Sequence, residues 1–305
     1  MKIYDMIIIG GGPAGYTAAL YGARAGLDTL IIERMSAGGQ MAVTDVIDNY
    51  PGFDEGIDGF TLGAKMQAGA ERFGAVTEYA EVVEVALREN PKRIVTTSGE
   101  FLGKTVVIAT GANPRELGLE GESALVGRGL HYCAHCDGRF YKNKVVAVVG
   151  GGNSAAEDAL YLSHLAKKVY VIHRRDSLRA TKIYHEPLMK SENVEFLWDS
   201  TVTDFVVDGR IKGVVVENIK AGDKQEIEID GLFVSIGRRP ATSLFSELEK
   251  DASGYIVADE STKTGVDGVY AVGDVRTKVL RQVVTAVGDG AVAAYFAEEF
   301  LSLNE

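Results

Sequence analysis

Two cysteines stand in the 305 residues, Cys133 and Cys136, with Ala134-His135 between them and Asp137 directly after the second. Thiols at this spacing can close an intramolecular disulfide with little backbone movement. Neighbouring charge can bring one of them from a pKa of about 8.5 to about 7 or below, which makes a thiolate available for exchange. A lone C-x-x-C also fits half of a zinc site, or two small buried hydrophobes. Zinc takes four ligands, and the nearest further donors, His131 and His135, crowd into the same short stretch, where they can hardly complete a tetrahedron. Redox chemistry is the favoured reading, and no metal is expected.

Two glycine-rich turns supply the context. Gly10, Gly12 and Gly15 stand in G-x-G-x-x-G register after the apolar run Ile7-Ile8-Ile9 and before the Ala/Leu-rich stretch Tyr16–Ala25. Thr29–Ile32 then reads as a second strand ending at Glu33, 23 residues after Gly10. Strand, turn, helix and strand together form the dinucleotide fingerprint. Its glycines permit a tight turn and close approach of a pyrophosphate to the helix N-terminus, and the acid binds the ribose hydroxyls. The pattern recurs 140 residues later: Gly10 aligns with Gly150, Gly12 with Gly152, Leu20 with Leu160 and Tyr21 with Tyr161. Glu33, however, aligns with His173, followed by Arg174, Arg175 and, further on, Arg179. A carboxylate there would repel a 2′-phosphate, whereas guanidinium groups pair with it, so the second site is read as one for NADP. A solvated strand end is the plainer alternative for these arginines.

These elements define the organisation. The class is α/β, with two Rossmann-like dinucleotide-binding domains, the second inserted into the first. Val106–Gly111 with Pro114 closes one unit, and Leu232–Pro240 repeats that ending 126 residues later. Domain bounds of 1–113, 114–241 and 242–305 follow, because the last stretch is too short for a third domain. Residues 60–73 and 282–301 read as helices, 76–108 as strands broken at Glu89-Asn90-Pro91, and 36–59 as loop. Asp274 follows the strand Val269–Val272, at an end where an acid can bind a ligand or simply make a turn. A net charge of −11 disfavours nucleic acid or an anionic membrane as partner. No apolar run approaches the roughly 20 residues of a membrane span. Two close cysteines without a wider framework suit a reducing cytoplasm, and the first residues lack the pattern of a signal peptide.

Over essentially its whole length the chain resembles the low-molecular-weight, bacterial-type thioredoxin reductases, class II pyridine nucleotide-disulfide oxidoreductases. The shared pieces are Gly10–Gly15, Gly39-Gln40, Ala109–Ala112, Cys133-x-x-Cys136-Asp137-Gly138, Gly150–Ala155, His173-Arg174-Arg175-x-x-x-Arg179, Gly273-Asp274 and Arg281-Gln282. The resemblance implies FAD on the discontinuous first domain and NADPH on the inserted one. It also implies a homodimer and thioredoxin as protein substrate. Reducing equivalents would pass from NADPH through FAD to the Cys133–Cys136 disulfide and on to thioredoxin. By the same resemblance the FAD site comprises Gly10, Gly12, Gly15, Glu33, Gly39, Gln40, Asn49, Val83, Ala109, Gly111, Asp274, Arg281 and Gln282. The NADPH site comprises Gly150, Gly152, Asn153, Ser154, Glu157, His173, Arg174, Arg175, Arg179, Ile236 and Gly237. Asp137 would be the acid/base of the dithiol, Cys136 the sulfur nearer the flavin, and Cys133 the one that attacks thioredoxin. Rotation of the inserted domain on connectors near 113–116 and 239–243 would present its two sites in turn. Family members commonly have Ala-Thr between the cysteines; here His135 can be cationic and favour a thiolate, or be a solvent-facing spacer, the favoured of the two. A flavin-dependent dithiol oxidase and a ferredoxin-fed reductase of the same fold are the rivals, and the arginine cluster argues against both.

Overall fold

The computed structural model describes residues 1–44 and 46–304. The chain forms two compact units, Met1–Asn113 with Arg239–Glu305, and Pro114–Arg238.

The first unit opens with β1 (Ile3–Ile9), α1 (Pro13–Arg24) and β2 (Thr29–Glu33). The β-branched run at the end of β1 suits a pleated strand buried on both faces. Pro13 begins α1 where a missing N–H costs nothing. Next come α2 (Gly59–Glu71), whose N-terminus is capped by Asp58, then β3 (Val76–Tyr79), β4 (Val82–Ala86), β5 (Lys92–Thr96), β6 (Gly99–Ile108) and the short β7 (Ala112–Pro114). The loop between β2 and α2 contains a 3-10 turn over Gly39–Val43.

The second unit contains α3 (Glu122–Leu125), β8 (Leu130–His131), α4 (Ala134–Asp137), β9 (Val145–Val149), α5 (Asn153–Ser163) and β10 (Lys168–Ile172). There follow α6 (His185–Lys190), β11 (Val194–Leu197), β12 (Ser200–Asp208), β13 (Arg210–Asn218), β14 (Lys224–Glu228) and β15 (Gly231–Val234). The chain then returns to the first unit within β16 (Arg238–Pro240) and continues with β17 (Val269–Ala271) and α7 (Val283–Leu303).

In the first unit the sheet order is β3-β2-β1-β6-β5-β4, with β17 on the second half of β6. β1, β2, β3, β6 and β17 run parallel, while β5 and β4 add an antiparallel edge. Alternation along β1 divides the core: Met6 and Ile8 face α1 and α7, whereas Ile7 and Ile9 pack with Phe245 and Ile256 on the other side. Helices α1 and α7 meet closely because Gly290 has no side chain; a Cβ there would lie 2.3 Å from the Ala14 carbonyl oxygen.

The second unit has a parallel sheet, β11-β10-β9-β15-β8, and an antiparallel one, β12-β13-β14. Val146 and Val148 pack under α5 against Ala155, Ala159 and Leu162. Ala147 and Val149 point the opposite way, onto Val202, Val214 and Val216 of the antiparallel sheet. Both faces of the central strands are therefore covered, which accounts for their unbroken apolar sequence. Among the described residues, no helix is long and apolar enough to cross a membrane.

Candidate active site

In the first unit, β1 hands over to α1 through Gly10, at φ +108°, where a Cβ would stand 2.5 Å from the Ala109 carbonyl oxygen. Gly15 is tighter still, with a Cβ only 1.9 Å from the Gly10 oxygen. Gly12 differs: a Cβ there would meet nothing within 4 Å. Gly12 is also the N-cap of α1, and among the described residues no side chain caps that helix's first N–H groups. Two glycines thus make the turn, while the third leaves its outer side open beside free backbone donors. This arrangement fits a dinucleotide diphosphate. Glu33 is fixed beside it, with Oε2 accepting from the Gly11 N–H at 2.6 Å and Oε1 from the Met35 N–H at 3.0 Å.

Further predicted residues gather around this turn. A Cβ on Gly39 would lie 3.4 Å from Gly12 Cα, and the Gly38 N–H donates to the Gly11 oxygen. Ala109 donates its N–H to the Ile9 oxygen, and Gly111 follows at φ +69°. Gln40 Nε2 donates to Asn113 Oδ1 at 2.9 Å, and Asn49 Nδ2 to Gln282 Oε1 at 3.1 Å. Asp274 lies in a 3-10 turn (Gly273–Val275), and a Cβ on Gly273 would approach Ala14 Cβ to 3.1 Å. That turn is held by the Gly273 N–H, which donates to Asp289 Oδ2 at 2.8 Å. Gln282 caps α7 in a reciprocal box with Thr285. Arg281 lays its guanidinium 4.0 Å over the Tyr255 ring, and its buried Nε has no hydrogen-bond partner among the described residues. Val83 lies apart from that turn in the chain order, on β4, and is half-exposed.

The second unit repeats the turn. Gly150, at φ +146°, would put a Cβ 2.4 Å from the Ser235 oxygen, just before Ile236 and Gly237, while Gly152 again faces open space. His173 fills the place next to Gly151, where a Cβ would stand 2.3 Å from its ring. The ring is buried, its Nε2 has no hydrogen-bond partner among the described residues, and desolvation, helped by Arg179, pushes His173 below the usual imidazole range. The Gly151 oxygen accepts from the Arg179 and Ala180 N–H groups, tying the arginine loop to the turn. Arg174, Arg175 and Arg179 are exposed, and among the described residues no carboxylate pairs with their guanidinium groups. Asn153 Oδ1 accepts from the Thr181 N–H at 2.8 Å, Glu157 accepts from the Tyr184 hydroxyl, and Ser154 is exposed on the first turn of α5. Open turn and unneutralised arginines fit a dinucleotide bearing an extra phosphate.

The dithiol turn lies against α5. Cys133 and Cys136 are joined as a disulfide, with Cα atoms 5.3 Å apart. Gly138 permits the approach, since a Cβ there would be 2.9 Å from the Tyr161 ring. His135 is exposed to solvent, and it also makes contacts within the fold. Its ring stacks on Tyr161 at 4.5 Å between centroids, and its Nδ1 is 3.7 Å from Asp158 Oδ1. That carboxylate holds the imidazole above its usual range, against some desolvation. Asp137 sits with one oxygen 3.2 Å from Nδ1 of buried His131, whose Nε2 is 2.6 Å from the Tyr141 hydroxyl. No spacing in the sequence announces the Asp158 or Tyr141 contacts. Among the described residues, no group of three or more His, Cys, Asp or Glu side chains could hold a metal ion.

A fold with two dinucleotide turns and a disulfide beside the second defines a class, and the chain belongs to it. The pyridine nucleotide-disulphide oxidoreductase family model matches residues 4–290. Within that family the chain is 47% identical over 302 residues to the thioredoxin reductase of Listeria monocytogenes, covering 98% of this chain and 94% of the relative. Among solved structures it matches the thioredoxin reductase of Streptococcus pyogenes with a TM-score of 0.91 and 43% identity, covering 99% of each chain. A ferredoxin-flavin thioredoxin reductase from Clostridium acetobutylicum also matches, with a TM-score of 0.53 and 30% identity over 99% of each chain.

Proposed function

We infer that this protein is an NADPH-dependent flavoprotein that reduces oxidised thioredoxin through the Cys133–Cys136 pair. One observation carries the choice of electron donor. At the ribose position of the second turn stand His173 and three exposed, unneutralised arginines instead of an acid. The overall fold cannot choose the donor by itself, since a ferredoxin-flavin reductase shares it. Arginines suited to a 2′-phosphate have no use in an enzyme fed by ferredoxin or in a dithiol oxidase driven by O₂.

In this reading 1–113 and 242–305 form the FAD domain, and 114–241 the NADPH domain. Gly10, Gly12, Gly15 and Glu33 hold the adenosine diphosphate part of FAD. Gly39, Gln40, Asn49, Val83, Ala109, Gly111, Asp274, Arg281 and Gln282 complete its site. Gly150, Gly152, Asn153, Ser154, Glu157, His173, Arg174, Arg175, Arg179, Ile236 and Gly237 hold NADPH. When bound, FAD and NADPH supply the two-electron hydride chemistry that side chains lack. The side chains perform thiol–disulfide exchange: Cys133 attacks the disulfide of thioredoxin, Cys136 resolves the mixed disulfide, and Asp137 carries the proton. The protein works in the cytoplasm as a homodimer, with no nucleic-acid partner.

The test is the visible spectrum followed by turnover. Flavin absorbance near about 450 nm, an expectation for a flavoprotein site, should bleach with NADPH and recover when oxidised thioredoxin is added. A protein left colourless after incubation with FAD and removal of the free flavin, or bleaching by NADPH without recovery, would sink the reading.

A further inference from the structure

We propose that His131 is a positioning residue for the dithiol chemistry: it holds one oxygen of Asp137 so that the other faces the exchanging sulfurs. The proposal rests on Asp137 being the proton carrier, and it concerns what orients that carrier.

His131 ends β8 and is 8% exposed. Its ring plane is fixed from two sides, stacked on Phe233 with centroids 5.2 Å apart and set edge-on to Tyr141. Both ring nitrogens are engaged, Nδ1 with Asp137 Oδ2 at 3.2 Å and Nε2 with the Tyr141 hydroxyl at 2.6 Å. Chemistry then sets the proton positions. An ionised carboxylate only accepts, so Nδ1 carries the hydrogen and Nε2 accepts from Tyr141. Burial pushes the Tyr141 phenol up to about 12, so it remains a donor at neutral pH. The charged groups facing Tyr141 are Arg210, Asp137 and Asp230, with Lys144 over its ring. The order is therefore Tyr141 O–H to Nε2, with the protonated Nδ1 facing Asp137 Oδ2 at 3.2 Å. The backbone N–H of Asp137 donates to the Cys133 oxygen at 3.1 Å, so the same residue is tied to the dithiol turn from its other end.

The exchange balances without further reagents. Two S–H bonds, on Cys133 and Cys136, and the S–S bond of the substrate break. The Cys133–Cys136 bond and two S–H bonds on the substrate form. The enzyme's dithiol is oxidised and the substrate's disulfide reduced. Asp137 takes a proton from a thiol and gives it to a departing sulfur, and the polar contact with Nδ1 keeps the carboxylate in place between the two events. A histidine present only for packing would fill the same space, so volume must be separated from hydrogen bonding.

Asparagine places an amide donor where Nδ1 stands, glutamine places one nearer Nε2, and leucine keeps bulk without a donor. Each variant is prepared with its flavin and reduced. Two rates are then read: bleaching by NADPH, and reduction of oxidised thioredoxin by the dithiol. A third readout needs no flavin reaction, namely the pH dependence of iodoacetamide alkylation of the dithiothreitol-reduced protein. His131→Leu and His131→Gln should slow thioredoxin reduction by about 10- to 100-fold, the range for one hydrogen bond to a charged group. Both should also displace the alkylation profile along the pH axis. His131→Asn should restore the rate to within about threefold of the parent, which is less than one ordinary hydrogen bond is worth. Bleaching by NADPH should be unchanged throughout. Parent-like exchange in His131→Leu, or Asn no better than Leu, would overturn the proposal while leaving the role of Asp137 standing. Parent-like exchange in Asp137→Asn would remove that role and the proposal together.

Discussion

Asp289 offers the most sharply defined perturbation. It is buried on α7 and accepts four hydrogen bonds: from the Gly273 N–H at 2.8 Å, Arg276 Nε and Nη2 at 2.9 Å each, and Lys278 Nζ at 2.8 Å. Its two cationic partners are themselves buried, with side chains 2% and 6% exposed. Burial works against the carboxylate charge, but the bonds from Arg276 and Lys278 outweigh it and hold the carboxyl below its usual range. Asp289→Ala would take from two buried cations the carboxylate that both are hydrogen-bonded to. Arg276 would keep its carbonyl contacts with Ala258 and Thr277 and the exposed Glu260 carboxylate 3.8 Å away, and Lys278 would keep the Thr285 carbonyl. Breaking such a buried pair costs about 3–5 kcal/mol, a large part of a typical stability of about 5–15 kcal/mol. Urea titration of the FAD-loaded protein, followed by flavin and far-ultraviolet signals together, measures the loss. Replacing the three charges together, by Asp289→Leu with Arg276→Met and Lys278→Met, should cost less than the single alanine, because no charge is stranded. The sign with pH follows from the depressed carboxyl. Its contribution is complete above the ordinary carboxylate pKa and disappears as pH falls through the folded value, so the parent–alanine gap should close only in acid. A loss under about 1 kcal/mol for Asp289→Ala at neutral pH, below the range for a buried pair, would refute the reasoning.

Four further outcomes test the sites. Replacing Arg174 and Arg175 by Gln should raise KM for NADPH by roughly 10- to 100-fold and KM for NADH far less; equal effects would defeat the phosphate assignment. Gly12→Ala should fold normally, since its Cβ meets nothing, yet retain less flavin, while Gly15→Ala should lower the melting temperature because it collides with the Gly10 oxygen. Cys136→Ser should trap thioredoxin as a stable mixed disulfide on non-reducing gels and Cys133→Ser should not; the reverse would exchange their roles. The stabilising pair His135–Asp158 should weaken as pH rises through the folded His135 pKa, which lies above the usual 6.5. The denaturation midpoints of parent and His135→Ala should therefore converge on going from mildly acidic to mildly alkaline pH.

Legibility in the sequence followed how local the physics is. Gly10, Gly15 and Gly150 are visible because their turns admit no side chain, which forces one residue type at fixed spacing. The first and last strand–helix pairs were readable from apolar runs, and the helix read over 282–301 is observed as Val283–Leu303. The sheet β12-β13-β14 was not readable, because its strands alternate only in part and are interrupted by register shifts. The environment of the dithiol was harder still. His135 meets a carboxylate on α5, and Asp289 closes a cluster with Gly273, Arg276 and Lys278 through the packing of α7. Such contacts depend on tertiary packing, and residue type alone does not encode them.

The discontinuity of the first unit has a consequence for how the chain is made. Val269 of β17 pairs with Val106 of β6, and α7 lies on α1, so residues made early in this stretch wait for partners made much later. Until then the apolar face of α1 and the edge of β6 lack their covers, a state prone to wrong association. The inserted unit, by contrast, is contiguous in Pro114–Arg238 and can close while synthesis continues. Once folded it draws its two ends together and shortens the effective loop that β17 must close, which reduces the entropic cost of that closure. The insertion thereby serves as an internal clamp during vectorial synthesis, and early termination within residues 239–305 should be far more damaging than the small size of that segment suggests.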